Sequence, residues 1–399
     1  ATVTITNSVI TGNRVAPSRA LAIGPPCPGN VNCPYAEADG GGIDDWGMLT
    51  LVHTTVSDNL VGSVSGLSTL ATDAVGGGIM VDSTGTLVVT DSVISDNHAS
   101  ATAPNGRNAK SGGIWVEGKS VTMNHDSVTN NSAELSAALP NSVGTGAEAG
   151  GIGLGGDICG ASISQCPSVT ILNTAITGNR VSATNTIGDA SASSGGLHSD
   201  GPLALLSNDT ISGNSVIATT PPGSSGNAGA DSGAAQFGAS SIRNTRVTGN
   251  SVEARSWAGT AEAIGGAFSI ATSPVTTITN SVISNNRLDA TSTSGSAIVE
   301  GGGIQNGQLL TLQNTVVANN TGTAQGPKGV SQGGGIWNGS VFGTAPPIQL
   351  ALVGSTVSGN TVTASAAITA RGGGLYTTFP VMLTNSAPAT NTPDQCSGC

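Results

Sequence analysis

Val275-Thr276-Thr277-Ile278-Thr279-Asn280-Ser281-Val282-Ile283-Ser284-Asn285-Asn286 decides the fold, because its landmarks return along the whole chain. The closing amide recurs as Asn13, Asn59, Asn97, Asn131, Asn179, Asn214, Asn250, Asn286, Asn320, Asn360 and Asn391, at intervals of 31 to 48 residues. Copies that keep their landmarks while their loops vary in length are solenoid repeats. Three residues before the Asn stands an aliphatic, as in Ile10, Val56, Ile94, Val128 and Ile176. Eight before it stands another, as in Ile5, Leu51, Val89, Met123 and Ile171. Polar neighbours around the second column give the period-two alternation of a half-buried strand. Both columns are therefore expected to pile up as core ladders in parallel sheets.

The residue just before the Asn is Gly, Asn or Asp in the ten copies from Gly12, Asp58 and Asp96 to Asn319 and Gly359. These types tolerate a left-handed backbone best, so a tight corner is expected there, with the Asn stacking into an amide ladder. A partial second amide column (Asn7, Asn173, Asn208, Asn244, Asn280, Asn314, Asn385) has His53 and His125 as replacements. A Gly-Gly step ending in Ile43, Ile79, Ile114, Ile152, Leu197, Ala235, Ala267, Ile304, Ile336 or Leu375 supplies a third inward column. Three strands per rung and about ten rungs follow.

Between each Asn and the next Gly-Gly lies a stretch with turn residues at its middle, such as Pro222-Gly223 or Ser294-Gly295. Small residues flank it, for example Val181-Ser182-Ala183-Thr184 and Ala190-Ser191-Ala192-Ser193. The reading is of hairpin arms that stack into a thin two-layered fin; flexible loops are the alternative. The whole is expected to be all-β, one continuous parallel β-helix domain over residues 1–399.

Composition suits a rod. Only 9% of residues are charged and 3% aromatic, with 59 glycines, whereas soluble domains are about 25% charged. A net charge of -11 with 12 scattered Lys and Arg argues against nucleic acid, which needs clustered cations. No apolar run of about 18 residues points to membrane insertion. Six cysteines fall in local pairs: Cys27 with Cys33, Cys159 with Cys166, and Cys396 with Cys399. Paired cysteines fit disulfides and an extracellular or cell-surface location, with a half zinc site at Cys396-x-x-Cys399 as the rival.

These motifs resemble the repeats of chlamydial polymorphic outer-membrane proteins and related bacterial surface β-helix proteins. In that family Gly-Gly-aliphatic alternates with Phe-x-x-Asn. Here the first motif reads Gly77-Gly78-Ile79, Gly302-Gly303-Ile304 and Gly334-Gly335-Ile336, and the second reads Ile283-Ser284-Asn285-Asn286 or Val247-Thr248-Gly249-Asn250, with Ile or Val for Phe. The resemblance implies a right-handed parallel β-helix and an adhesive role by analogy.

Chemistry is sought on the outward face after the Gly-Gly step, which carries Asp44, Trp46, Asp82, Trp115, Glu117, His198, Asp200, Trp337 and Tyr376. Asp82 and Glu117 share a column on neighbouring rungs, about one strand spacing apart. They could share a proton or be bridged by calcium, the one candidate cofactor. With Lys119 as the nearby base they would be the catalytic set of a polysaccharide lyase or glycoside hydrolase. No metal spacing and no Ser/His/Asp set is discernible. A Thr column (Thr4, Thr50, Thr122, Thr170, Thr277, Thr311), interrupted by Leu205, Ala351 and Met382, raises ice binding as a lesser reading. The chain opens inside a strand at Val3-Thr4-Ile5 and stops shortly after Asn391, so the expectation is either that further rungs or caps have been removed or that copies stack head to tail into a fibre. The leading expectation is a structural β-helix serving adhesion or fibre assembly, with a host surface or extracellular polysaccharide as partner.

Overall fold

The structure is a computed structural model that describes residues 1–15, 35–62, 71–82, 84–101, 106–138, 146–155, 168–199, 201, 203–238, 240–270, 275–340, 350–365 and 368–399. In the turn that opens with the quoted stretch, five strands follow one another: Val275–Thr279, Val282–Ser284, Arg287–Ser292, Ser296–Glu300 and Ile304–Asn306. Each pairs in parallel with its counterpart one turn on, placing Ile278 beside Leu312, Ile283 beside Val317, Ala290 beside Ala324, Val299 beside Ser331 and Ile304 beside Ile336. The result is five parallel sheets, numbered 1 to 5 here in the order the chain visits them. Among the described residues, sheets 1, 2 and 5 hold eleven strands and sheets 3 and 4 hold ten, all in chain order.

The protein is thus an all-β parallel solenoid with five strands per turn, where the sequence reading expects three. The two additional strands are the arms. Their alternating small residues, as in Arg180–Asn185 and Ala190–Ser193, satisfy their backbone groups against the same arm of the next turn rather than against each other. The arms are therefore two stacked sheets, 3 and 4, and not hairpins.

Two cores result. Sheets 1, 2 and 5 enclose the aliphatic one, in which Leu51, Val89, Met123, Ile94, Val128, Ile176, Ile79 and Ile114 are fully buried. Sheets 3 and 4 enclose the fin, packed mainly with alanine and valine such as Ala99, Ala133, Val181, Ala218 and Ala263. Burying one large aliphatic contributes about 1.5–3 kcal/mol, so the three-sheet body carries more stabilisation per turn than the alanine fin. One assignment shifts by a residue: Ala235 pairs with Phe268, so Ala267 takes the place of the second glycine and Phe268 fills the core position. Phe268 stacks edge-on against Phe237 with centroids 5.2 Å apart.

Three left-handed corners bend each turn. The corner before the Asn has positive φ at Gly12, Asp58, Asp96, Asn130 and their counterparts, as their residue types require. The second amide column is left-handed too, at Asn7, His53, Asp91, His125 and Asn173. A third corner, between sheets 4 and 5, has Gly40, Gly76, Gly265, Gly301, Gly333 and Gly372, with Ser111, Ala149, Ser194 and Ser232 in the middle turns. Just after it the backbones crowd: a Cβ on Gly303 would meet the Gly335 carbonyl oxygen at 2.6 Å.

Buried side chains supply the remaining hydrogen bonds. The Asn250 carboxamide oxygen accepts from the Asn214 backbone N–H at 3.0 Å and side-chain amide at 2.9 Å. Its nitrogen donates to the Ile211 carbonyl at 3.1 Å and to Asn286 Oδ1 at 2.9 Å. The pattern repeats from Asn13 to Asn391. A second ladder, which the sequence reading missed, runs between sheets 1 and 2 through Thr54, Ser92, Asp126, Thr174 and Asp209. There Ser92 N–H donates to Asp126 Oδ1 at 2.9 Å and Thr174 N–H to Asp209 Oδ1 at 2.8 Å.

Candidate functional site

The outer faces of sheets 4 and 5 meet at the third corner, and the residues singled out for chemistry lie along that angle. Parallel pairing sets Asp44, Met80, Trp115, Gly153, His198, Gln236, Ser269, Gln305, Trp337 and Tyr376 in one continuous column on sheet 5. The expected column therefore exists, but most of it is closed to solvent. Trp115 is 1% exposed, and Trp337 and His198 are each 6% exposed. The reason is that outward from sheet 5 is inward to the angle with sheet 4. Lys110 on sheet 4 lays its Nζ 5.0 Å from the Trp115 ring centroid, and Gln332 accepts the Trp337 indole N–H at 3.3 Å. Val75, Met80 and Trp115 form a small apolar cluster of their own.

Trp115 and Trp337 stand six steps apart in this column and with their faces covered, so neither offers a platform for a sugar ring. Tyr376, next to Trp337, is half-exposed. Trp46 is open to solvent, 68% exposed, and its carbonyl accepts from Thr84 Oγ1 at 2.9 Å. Asp44 beside it is exposed, and its carboxyl is raised by partial burial, with the charges of Asp82 and Asp45 adding to the rise and a hydrogen bond from Trp46 opposing it.

Asp82 and Glu117 do occupy equivalent places on neighbouring turns. The Asp82 N–H donates to the Asp45 carbonyl and the Glu117 N–H to the Val81 carbonyl, continuing the register of the sheet. Glu117 is already engaged, since its Oε1 accepts the Trp115 indole N–H at 3.1 Å. Lys119 is exposed, with its N–H on the Gly85 carbonyl. Among the described residues, no group of three or more His, Cys, Asp or Glu side chains could hold a metal ion. Asp200 lies outside the described residues, as do Cys27, Cys33, Cys159 and Cys166. Cys396 and Cys399 form a disulfide.

Further along the angle the structure gathers groups that sequence reasoning did not associate. Ser194, at a left-handed corner, places Oγ 3.1 Å from His198 Nδ1, and Asp231 acts electrostatically on the same imidazole. Aligning the third corner turn by turn would have drawn attention to Ser194, which, like Ser111, Ala149 and Ser232, stands where six other turns have glycine. Ser194 is fully buried, so its hydroxyl orients the imidazole and faces no substrate. Burial pushes the Asp231 carboxyl up to about 6, against hydrogen bonds from Ser232 and Ser269 and the charge of His198. Burial also raises Glu262 and lifts Glu300 to about 7, the Glu262 charge adding to the latter. The angle is thus a low-dielectric seam in which burial raises all three carboxyls above their ordinary values.

The threonine column on sheet 1 is in register, with Thr4 beside Thr50, Thr122 beside Thr170 and Thr277 beside Thr311. Val88, Leu205, Ala351 and Met382 break it. No helix long and apolar enough to cross a membrane occurs among the described residues. Comparison of the chain with protein-family models, with curated proteins and with solved structures finds no match.

Proposed function

We propose that the protein is an extracellular or cell-surface structural solenoid, coiled right-handed like the surface β-helix proteins it resembles, that serves as a rigid rod for adhesion or fibre assembly. The observation that carries this reading is the internal use of the chemically rich side chains. Trp115 spends its indole N–H on Glu117, Trp337 spends its own on Gln332, and Ser194 holds His198, while all three rings are buried. Groups committed in this way stiffen a scaffold and leave little to bind and turn over a polymer. The Cys396–Cys399 disulfide supports an oxidising location. Stacking of copies head to tail belongs to the same reading.

The test is to present the purified protein with a panel of extracellular polysaccharides, measuring retention and released sugar together. Retention without new reducing or unsaturated ends is the expected result. Product release that disappears in Asp82→Ala would establish the enzyme reading instead.

A further inference from the structure

We propose that Ser132, His98 and Glu134 form a nucleophilic site on the outer face of sheet 3 that hydrolyses short acyl esters, with Ser132 as nucleophile, His98 as its base and Glu134 as the carboxylate that orients the base. The site lies on the side of the fin opposite sheet 4 and does not rest on the scaffold reading.

Parallel pairing sets His98 directly beside Ser132 and Ser100 beside Glu134. Ser132 and Glu134 are two residues apart in the strand Ser132–Ala137, so both belong to one face of the sheet. The imidazole bridges them: Nδ1 lies 2.6 Å from Ser132 Oγ and Nε2 lies 3.7 Å from Glu134 Oε2. No side chain has to move to form the set. Ser132 and His98 are half-buried and Glu134 is exposed, so this hydroxyl, unlike that of Ser194, can be reached from solvent.

A carboxylate facing Nε2 favours the tautomer with its proton there, which leaves the Nδ1 lone pair for the serine proton. Burial lowers the imidazole, against the charge of Glu134 and the hydrogen bond with Ser132, so it is a neutral base at pH 7.5. Arg180 occupies the place beside Ser132 on the next turn, and its positive charge favours an oxyanion forming there. The serine oxygen bonds to the acyl carbon as its proton passes to Nδ1; the ester C–O bond then breaks and the proton leaves with the alkoxide. Water repeats the sequence on the acyl-serine, releasing the carboxylic acid and restoring the hydroxyl.

The same column supplies an internal control. Ser215 and Ser251 are half-buried like Ser132, but their cross-strand neighbours include Arg180 and Arg287 and no histidine. The intact protein is treated with a fluorophosphonate at pH 7.5, whose fluoride the serine displaces, and peptide mass spectrometry maps the adduct. Labelling of Ser132 but not of Ser215 or Ser251 is expected, together with turnover of p-nitrophenyl acetate. His98→Asn slows labelling by about a hundredfold while the far-UV circular dichroism stays unchanged. Glu134→Gln slows it severalfold and Glu134→Asp restores part of the rate, which a packing role for the side chain would not produce. Absence of an adduct at Ser132, labelling of Ser215 or Ser251 at the same rate, or a His98→Asn protein that reacts as fast as the parent overturns the proposal.

Discussion

Asn250→Ala lowers the free energy of unfolding by about 3–5 kcal/mol, a loss expected equally at the other buried amides of its ladder. The magnitude follows from what the carboxamide does. Its oxygen is the acceptor for both the backbone and side-chain N–H of Asn214, and its nitrogen serves the Ile211 carbonyl and Asn286 Oδ1. Asn250 is fully buried, so truncation removes four hydrogen bonds with no water to replace them, although the Asn286 oxygen keeps the Asn250 backbone N–H as a donor. Each buried unsatisfied group costs about 1–3 kcal/mol, and relaxation around the gap recovers part of it. Asn250→Asp is expected to be at least as damaging, because a carboxylate can accept from Asn214 but cannot donate onward. Urea unfolding followed by circular dichroism measures both. A midpoint for Asn250→Ala equal to the parent's would show that the ladder is ornamental.

Asp209→Thr has the opposite sign: it stabilises the protein at pH 8. Asp209 is 2% exposed and belongs to the hydroxyl ladder between sheets 1 and 2, where its neighbours are Thr174 and Thr245. One oxygen accepts the Thr174 N–H at 2.8 Å while Oδ2 has no hydrogen-bond partner. Burial lifts the carboxyl from 3.8 to about 7 despite backbone bonds from Thr174 and Ser207. The folded state therefore binds this proton more tightly than the unfolded chain does. The associated stability is complete below the unfolded value and is lost as pH rises through about 7. Asp126 and Asp231, each raised to about 6, and Glu300, raised to about 7, act in the same direction. His98, lowered by burial, opposes them as pH falls. The parent should thus gain stability between pH 8 and pH 5. Asp209→Thr should raise the pH 8 value by on the order of 3 kcal/mol and flatten that slope. Unfolding midpoints of both proteins at pH 5, 6.5 and 8 decide it, and a parent less stable at pH 5 than at pH 8 contradicts the argument.

How much of this was legible in the sequence depended on side-chain size. Ile94, Val128 and Ile176 announce a strand because a large aliphatic returns at one offset from each Asn, and in the structure they stand side by side. Gly12 and Asp58 announced the left-handed corner because few other residues tolerate it. The strands of the fin carry Val181-Ser182-Ala183-Thr184 and the like, whose alternation is chemically shallow, so from sequence two of the five sheets read as hairpin arms. The site suffered from a related blindness. Period two correctly set Trp115, His198 and Trp337 on the outer face of sheet 5, yet whether that face meets water depends on sheet 4 folding over it. The Asp126 and Asp209 ladder escaped because a carboxylate at an otherwise hydroxyl position reads as surface until the neighbouring Thr174 and Thr245 are seen to be buried.

The central claim is that equivalent residues of successive turns lie directly beside one another, and a pair of engineered cysteines addresses it most directly. Ser95 and Thr129 are in-register partners on the outer face of sheet 2, and Thr177 lies one turn beyond. Neighbouring strands about 4.8 Å apart are within disulfide reach, whereas two turns are not. Mild oxidation followed by peptide mass spectrometry should recover a bridge between the two introduced thiols in the protein carrying Ser95→Cys and Thr129→Cys, and no such bridge in the one carrying Ser95→Cys and Thr177→Cys. Bridging of the second pair as readily as the first, or of neither, would contradict the stacked solenoid.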